Sequence, residues 1–157
     1  MKRFSTLLTA LCLSSSIAYA ADVSVEQPYA RATAPGQANS AAFMRLVNNG
    51  AATALVAADS SAAEVVELHT HINDNGVMRM RKIELIELPA GKTTVLQPGG
   101  LHVMLIGLKQ PLQEGAQIDL NLEYADGSQQ QIDVPVKRVA PAAGMPMQMQ
   151  RQSQGGE

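Results

Sequence analysis

Hydrophobic and polar residues alternate in short runs along most of the chain, and this period of two is typical of β-strands with one buried face. Turn-forming residues separate the runs, as at Asn73-Asp74-Asn75-Gly76 and Pro98-Gly99-Gly100. No helical periodicity lasts longer than a turn or two. The runs that predict strands are 23–29, 41–48, 51–58, 64–71, 77–86, 92–96, 101–108, 118–124 and 130–136.

A series of many short strands predicts an all-β domain, either a sandwich or a barrel. Asp74-Asn75-Gly76 has the composition of a tight turn, so runs 64–71 and 77–86 are predicted to form an antiparallel hairpin. The character of the chain changes near its end. Residues 141–157 lack the aliphatic side chains that would stabilise an ordered segment, and they are predicted to form a flexible Met-rich tail.

Residues 1–20 have the pattern of a secretory signal peptide. Lys2 and Arg3 precede an apolar run at 7–13, and Ala18-Tyr19-Ala20 resembles a cleavage site. Cys12 is the only cysteine, and Leu11 before it matches lipoprotein processing poorly, so no lipid anchor is predicted. No later apolar run is long enough to span a bilayer. The sequence thus predicts a soluble exported protein, periplasmic in a Gram-negative host, with a single domain at 21–140.

Charge and composition narrow the function classes. The 157 residues include 12 Lys and Arg against 14 Asp and Glu, and loss of Lys2 and Arg3 leaves 10 basic residues and a formal charge of −4. Nucleic-acid binding usually shows as a basic patch with aromatic or Arg-rich contacts, and no such patch is evident. Nucleic acid is therefore not an expected partner.

Histidine and methionine are concentrated in one stretch of the chain. All three histidines and three of the eight methionines lie between positions 69 and 104, and the exported form has no cysteine. Thioether sulfur suits Cu(I), whereas imidazole suits copper in either oxidation state as well as zinc, iron and nickel. A blue-copper site needs a thiolate, and catalytic zinc usually needs three His or His with carboxylate. The set favours a copper site, mainly for Cu(I), with Cu(II) as an additional candidate.

The predicted strands bring these donors together. His102 and Met104 are two residues apart and share a strand face, while His69 and Met80 lie on opposite arms of the hairpin. A single Met is more often a core residue than a ligand, so the argument depends on the whole set. His71 shares a face with His69, and Met78 with Met80. The residues alone therefore leave two candidate donors on each arm.

The spacing of His69, Met80, His102 and Met104 follows the pattern H-x10-M-x21-H-x-M, which resembles the signature of the PCuAC family of periplasmic copper chaperones. This resemblance implies a cupredoxin-like Greek-key β-sandwich that binds Cu(I) through these four residues. It also implies delivery of copper to the copper-bearing subunit of cytochrome c oxidase, often with a Sco-like thioredoxin-fold partner. Other segments that look like the family are Tyr29-Ala30-Arg31-Ala32, Pro35-Gly36, Asn39, Ala41-Ala42-Phe43-Met44, Gly76-Val77-Met78-Arg79-Met80-Arg81 and Pro98-Gly99-Gly100-Leu101-His102-Val103-Met104-Leu105.

Several questions stay open at the level of sequence. The candidate secondary ligands are His71, Met78, Met145, Met147 and Met149. The last three lie in the predicted tail, which is either a weaker Cu(I) site or an inert solubilising extension. A metal-dependent enzyme and a structural Ig-like envelope module are the alternative functions. Turnover would need a general base or an open metal position, and Glu67 and Asp74 are better explained as a strand-surface charge and a turn residue.

Overall fold

The computed structural model describes residues 22–139, and in this range it contains strands but no helix, hence none that could cross a membrane. The predicted signal peptide at 1–20 and the predicted tail at 141–157 lie outside the described residues. The strands are β1 (Val23–Arg31), β2 (Asn39–Asn48), β3 (Thr53–Asp59), β4 (Ala63–Asp74), β5 (Val77–Lys82), β6 (Ile86–Leu88), β7 (Thr93–Leu96), β8 (His102–Leu108), β9 (Gln117–Tyr124) and β10 (Gln129–Lys137).

The strands form two layers. The first sheet has the order β5-β4-β8-β2-β1, with β7 also paired to β2, and the second has the order β10-β9-β3-β6. A short parallel pairing of β1 with β10, at Ala30↔Val136 and Arg31↔Lys137, joins them. The chain changes sheets repeatedly, as between β2 and β3 and between β3 and β4. This connectivity confirms the predicted all-β Greek-key sandwich.

The core lies between the two sheets and is built from alternate residues of each strand. Leu46 and Leu105 of the first sheet and Leu120, Leu122 and Val134 of the second are fully buried and belong to one continuous cluster. Burying an aliphatic side chain of this size contributes about 1.5–3 kcal/mol. The residues between them face outward, so the first sheet has one face toward the core and one toward solvent.

The hairpin of β4 and β5 closes through a two-residue turn, as predicted. Asn75 and Gly76 have φ angles of 52° and 85°, the left-handed values that a tight turn of this kind requires. The side-chain oxygen of Asn73 accepts a hydrogen bond of 2.7 Å from the Gly76 N–H. Asp74 pairs with Val77, which fixes the register of the whole hairpin.

The prediction of one strand over 77–86 is wrong. β5 ends at Lys82, and β6 begins at Ile86 in the other sheet, where it pairs with β3. All residues of β5 are exposed, whereas Ile86 and Leu88 are buried. After leaving the edge of the first sheet, the chain buries Ile86 and Leu88 against the core from the second one.

Strands β7 and β8 behave as one strand interrupted by a loop. Both pair with β2, at Met44↔Leu96 and Ala42↔Val103, so they follow one another along the same edge. The five residues 97–101 leave the sheet between them, and the loop is closed by a hydrogen bond of 2.8 Å from the Gln97 N–H to the Leu101 carbonyl. The loop therefore returns the chain to the sheet at His102, one residue after the predicted start of this strand.

The buried end of β9 gives a test of the fold in alkali. Burial, with the nearby Asp126 charge, raises the pKa of Tyr124 to about 12, and its hydroxyl donates to Gln130 Oε1 at 2.9 Å. An unfolded tyrosine titrates near ~10, so the folded state keeps a proton that the unfolded chain loses. The contribution of Tyr124 to the free energy of unfolding should be constant below pH ~10 and should be lost as the pH rises to about 12. Urea unfolding across this range measures the slope, and Tyr124→Phe should flatten it.

Candidate metal centre

The predicted donors lie on the outward face of the first sheet. Along β8, Val103 and Leu105 are buried in the core, so His102 and Met104 project from the opposite face. Along β4, Leu68 is in the core, and His69 and its neighbours two residues away project outward. The alternation that builds the core thus also places all of these donors on one side of the sheet.

The strand register decides which donors are neighbours. His69 lies directly opposite His102 on the β4–β8 ladder. On the β4–β5 ladder, Met80 lies directly opposite His71, and Met78 lies opposite Asn73. Met80 is diagonal to His69, and a diagonal pair of roughly 7–8 Å is within reach of a long side chain. Met78 is one further step away, so Met80 is the better placed of the two sulfurs.

The three imidazole rings form a cluster around His102. The ring centroid of His102 lies 5.7 Å from that of His69 and 5.1 Å from that of His71. Phe43 packs against His102 from β2, with 6.2 Å between centroids, and Tyr29 lies 5.2 Å beyond Phe43. His102 is only 2% exposed in consequence.

One nitrogen of each central imidazole is held by a hydrogen bond. His102 Nδ1 lies 3.0 Å from the Gly100 carbonyl, and His69 Nε2 lies 2.8 Å from Glu67 Oε2. A carbonyl and a carboxylate can only accept, so both nitrogens carry hydrogen. In the neutral rings the lone pairs are then on His102 Nε2 and His69 Nδ1. Such outer contacts fix the ring orientation of metal-binding histidines.

The two remaining nitrogens are buried without a partner. Among the side-chain nitrogen and oxygen atoms of residues 22–139, His69 Nδ1 and His102 Nε2 are the two that are buried and lack any hydrogen bond. Leaving a buried polar atom unsatisfied costs about 1–3 kcal/mol, and native structures rarely tolerate it without a reason. Two such atoms on directly opposed residues fit a site in which a metal ion takes both lone pairs.

The pKa values of His102 and Glu67 are both lowered, and this favours metal binding by His102. Burial lowers the pKa of His102, and the neighbouring His71 and His69 add to the effect, whereas the Gly100 contact opposes it. His102 is therefore neutral at pH 7, as ligation requires. Hydrogen bonds from His69 and from Lys82, whose Nζ lies 2.8 Å from Glu67 Oε1, lower the pKa of Glu67. Glu67 is a carboxylate under the same conditions.

The sulfur donors give the site a soft and accessible side. Met104 is partly buried beside His102, and Met80 is 46% exposed on the edge strand β5. Two imidazole nitrogens and two thioethers make a donor set that suits copper, above all Cu(I). In residues 22–139, no three His, Cys, Asp or Glu side chains are grouped to hold a metal ion, so a four-donor site needs the sulfurs.

The remaining candidates fall into two groups. His71 and Met78 lie on the same outward face, with His71 Nδ1 3.4 Å from the Gly100 carbonyl. Met145, Met147 and Met149 lie outside the described residues.

Sequence reasoning missed the roles of Glu67 and Gly100. The position of Glu67, two residues before His69 on the same face, could have suggested the first, but a backbone carbonyl leaves no side-chain signal.

Comparison with solved structures shows that the chain has the cupredoxin-like β fold of PCuAC domains. The copper-bound PCuAC domain of PmoF2 superposes with a TM-score of 0.65 at 21% identity, covering 77% of this chain and 97% of that one, a likeness of fold. Apo-DR1885 of Deinococcus radiodurans has a TM-score of 0.61 at 29% identity, covering 88% and 95%. The Cu(I) form of DR1885 has a TM-score of 0.58 at 32% identity, covering 73% and 78%.

The chain belongs to the family described as "Putative lipoprotein LpqE-like", whose profile matches residues 23–136. A curated relative, the putative lipoprotein Lxx21020 of Leifsonia xyli subsp. xyli, is 43% identical over 106 residues. That match covers 66% of this chain and 64% of the relative, so the chain spans somewhat less than two thirds of the relative's length. The resemblance to PCuAC domains that the sequence indicated is confirmed by this likeness of fold together with the family profile.

Proposed function

We propose that this protein binds one Cu(I) ion through His69, Met80, His102 and Met104. The observation that carries the proposal is the pair of buried, partnerless nitrogens on His69 and His102. The opposed register of these two residues and the sulfur of Met104 beside them support it. So does the 32% identity with DR1885, a protein whose structure includes a Cu(I) form.

The proposed role is that of an exported copper chaperone. The signal-like segment at 1–20 and the lipoprotein names of the family and of the Leifsonia relative support export, in a Gram-negative host to the periplasm. The resemblance to PCuAC chaperones supports delivery to the copper-bearing subunit of cytochrome c oxidase, with a Sco-like thioredoxin-fold protein as partner. A site with neutral donors and one exposed edge suits an ion that has to be passed on.

Binding rather than turnover is the proposed activity. Glu67, the carboxylate nearest the donors, is occupied by His69 and Lys82 at 2.8 Å each. A surface groove of about 690 Å³ lies beside Tyr29 and Lys137, and none of the four proposed ligands lines it. A purely structural module would gain nothing from leaving two buried nitrogens unsatisfied.

The two sulfurs of β5 allow a matched test of the ligand set. Met80→Leu should lower Cu(I) affinity by about 10-fold or more, because it deletes a donor while keeping volume. Met104→Leu should have a similar effect. Met78→Leu changes the same chemistry opposite Asn73 and should leave the affinity nearly unchanged, because Met78 lies one pair further from His69 than Met80 does. Anaerobic titration against a coloured Cu(I) chelator gives stoichiometry and affinity. Equal affinities for the Met78 and Met80 variants would refute the assignment of Met80.

Glu67, whose carboxylate is hydrogen-bonded to His69, gives a second test. Glu67→Ala removes the acceptor that orients the His69 ring and should weaken Cu(I) binding by about 10- to 100-fold. Lys82→Met is the control, because Lys82 contacts the other oxygen of Glu67 and has an exposed side chain. The control should retain nearly full affinity in the same titration. A larger loss in the Lys82 variant would mean that charge, and not ring orientation, is what Glu67 supplies.

A further inference from the structure

The donor nitrogens of His69 and His102 are buried, so a copper ion has to move past neighbouring side chains to reach them. His69 Nδ1 and His102 Nε2 are buried from solvent, and Phe43 covers His102 on the β2 side. The loop at 97–101 lies at the start of β8, with its Gly100 carbonyl on the His102 ring. On the β5 side, by contrast, Met80 is 46% exposed. The accessible approach is therefore from the edge strand.

His71 stands on this approach and is not one of the four proposed ligands. It lies directly opposite Met80 on the hairpin, and its ring centroid is 5.1 Å from that of His102. Directly opposed residues have Cβ atoms about 4.5–5.5 Å apart, so His71 and Met80 can bind one ion together. Imidazole and thioether are both suitable Cu(I) donors.

The hydrogen bonding of His71 leaves its ring comparatively free. Its Nδ1 lies 3.4 Å from the Gly100 carbonyl, and the same carbonyl lies 3.0 Å from His102 Nδ1. The longer contact is the weaker of the two. His71 can thus turn toward the solvent side or toward His102, whereas His102 is buried and held.

Resting on the proposed function, we infer that His71 and Met80 form an outer Cu(I) position through which the ion enters and leaves the inner site. Copper binds first to the exposed Met80 and to His71. His69, His102 and Met104 then displace His71 while Met80 stays bound. No oxidation or proton transfer is needed, since one neutral donor replaces another.

This inference predicts an effect on rate without an effect on equilibrium. The affinity is the ratio of the loading and release rates, so a residue bound only in transit must change both rates by the same factor. His71→Phe keeps the ring against His102 and removes both nitrogens. It should slow loading and release by about 10-fold, equal to raising the barrier by about 1.4 kcal/mol. His71→Met restores a donor and should recover most of the rate.

The experiment follows Cu(I) exchange between the exported full-length protein and bicinchoninate by anaerobic stopped-flow absorbance. Parallel equilibrium titrations give the affinity of each variant, and Met78→Leu is the control for a change on the same face. Slower exchange at unchanged affinity, rescued by His71→Met, is the expected result. Unchanged rates in His71→Phe, or a loss of affinity in place of rate, would overturn the inference. If the unaltered protein itself bound no Cu(I), the proposed function would fail first, which is a different outcome.

Discussion

His102→Leu is expected to lower Cu(I) affinity by about 100-fold or more, since the loss of an outer partner alone costs 10- to 100-fold and this change removes a ligand. The same variant should be as stable as the unaltered protein, or more stable, when copper is absent. His102 is 2% exposed and buries a nitrogen without a partner. An apolar side chain of similar size removes that cost.

The two halves of this prediction are measured separately. Chelator competition gives the affinity, and urea unfolding of the copper-free protein gives the stability. A residue retained for its metal, at some expense in stability, behaves in this way. If His102→Leu unfolded the copper-free protein at markedly lower urea, the histidine would be a packing residue and its assignment as a ligand would lose its main support.

Leu105 lies three residues after His102 on the same strand. Leu105→Ala should have the opposite pair of effects, with lower stability and nearly unchanged Cu(I) affinity. Leu105 is fully buried on the core face of β8. Truncating a buried leucine to alanine typically costs 2–5 kcal/mol, so the free energy of unfolding should fall by about that amount. Cu(I) affinity of the folded protein should hardly change, because the side chain points away from the donors. A loss of affinity comparable with that of His102→Leu would show that the two faces of β8 are not independent.

Most of the fold could be predicted because alternation is a local signal. Each predicted run overlaps a strand of the structure, and the predicted turn before Val77 is present, with Asn75 and Gly76 at its centre. The exception is the run 77–86. Its apolar residues continue through Ile83 and Leu85 to Ile86, and the sequence does not show that Ile86 belongs to the other sheet. That change of sheet depends on the partner strand β3, which is distant in sequence from β6 and leaves no mark on the run itself.

The sequence predicted which residues belong to the candidate site, but not which side chains pack around them. Spacing of two indicated that His102 and Met104 share a face, and the structure agrees. The turn fixes both the opposition of His71 and Met80 and the diagonal position of His69, whereas the opposition of His69 and His102 appears only when the β4–β8 register is known. The packing of Phe43 on His102 depends on strand β2, far away in sequence. Whether the four residues bind copper stays a prediction.

Because of the two-residue turn in the β4–β5 hairpin, the effect of an insertion or deletion depends on whether it changes the length by an odd or an even number of residues. Side chains on a strand change face with every residue, and the pairing at Asp74↔Val77 carries that alternation unchanged to His71 and Met80. Adding one residue within β5 would put the Met80 sulfur on the core side of the sheet, out of reach of the imidazoles. Adding two would restore the face but move the sulfur one pair further from the turn, to where Lys82 lies now, opposite His69. The ten-residue interval between His69 and Met80 therefore matters by whether it is odd or even, and a change of one residue would take the sulfur away from the histidines while leaving the buried core residues in place.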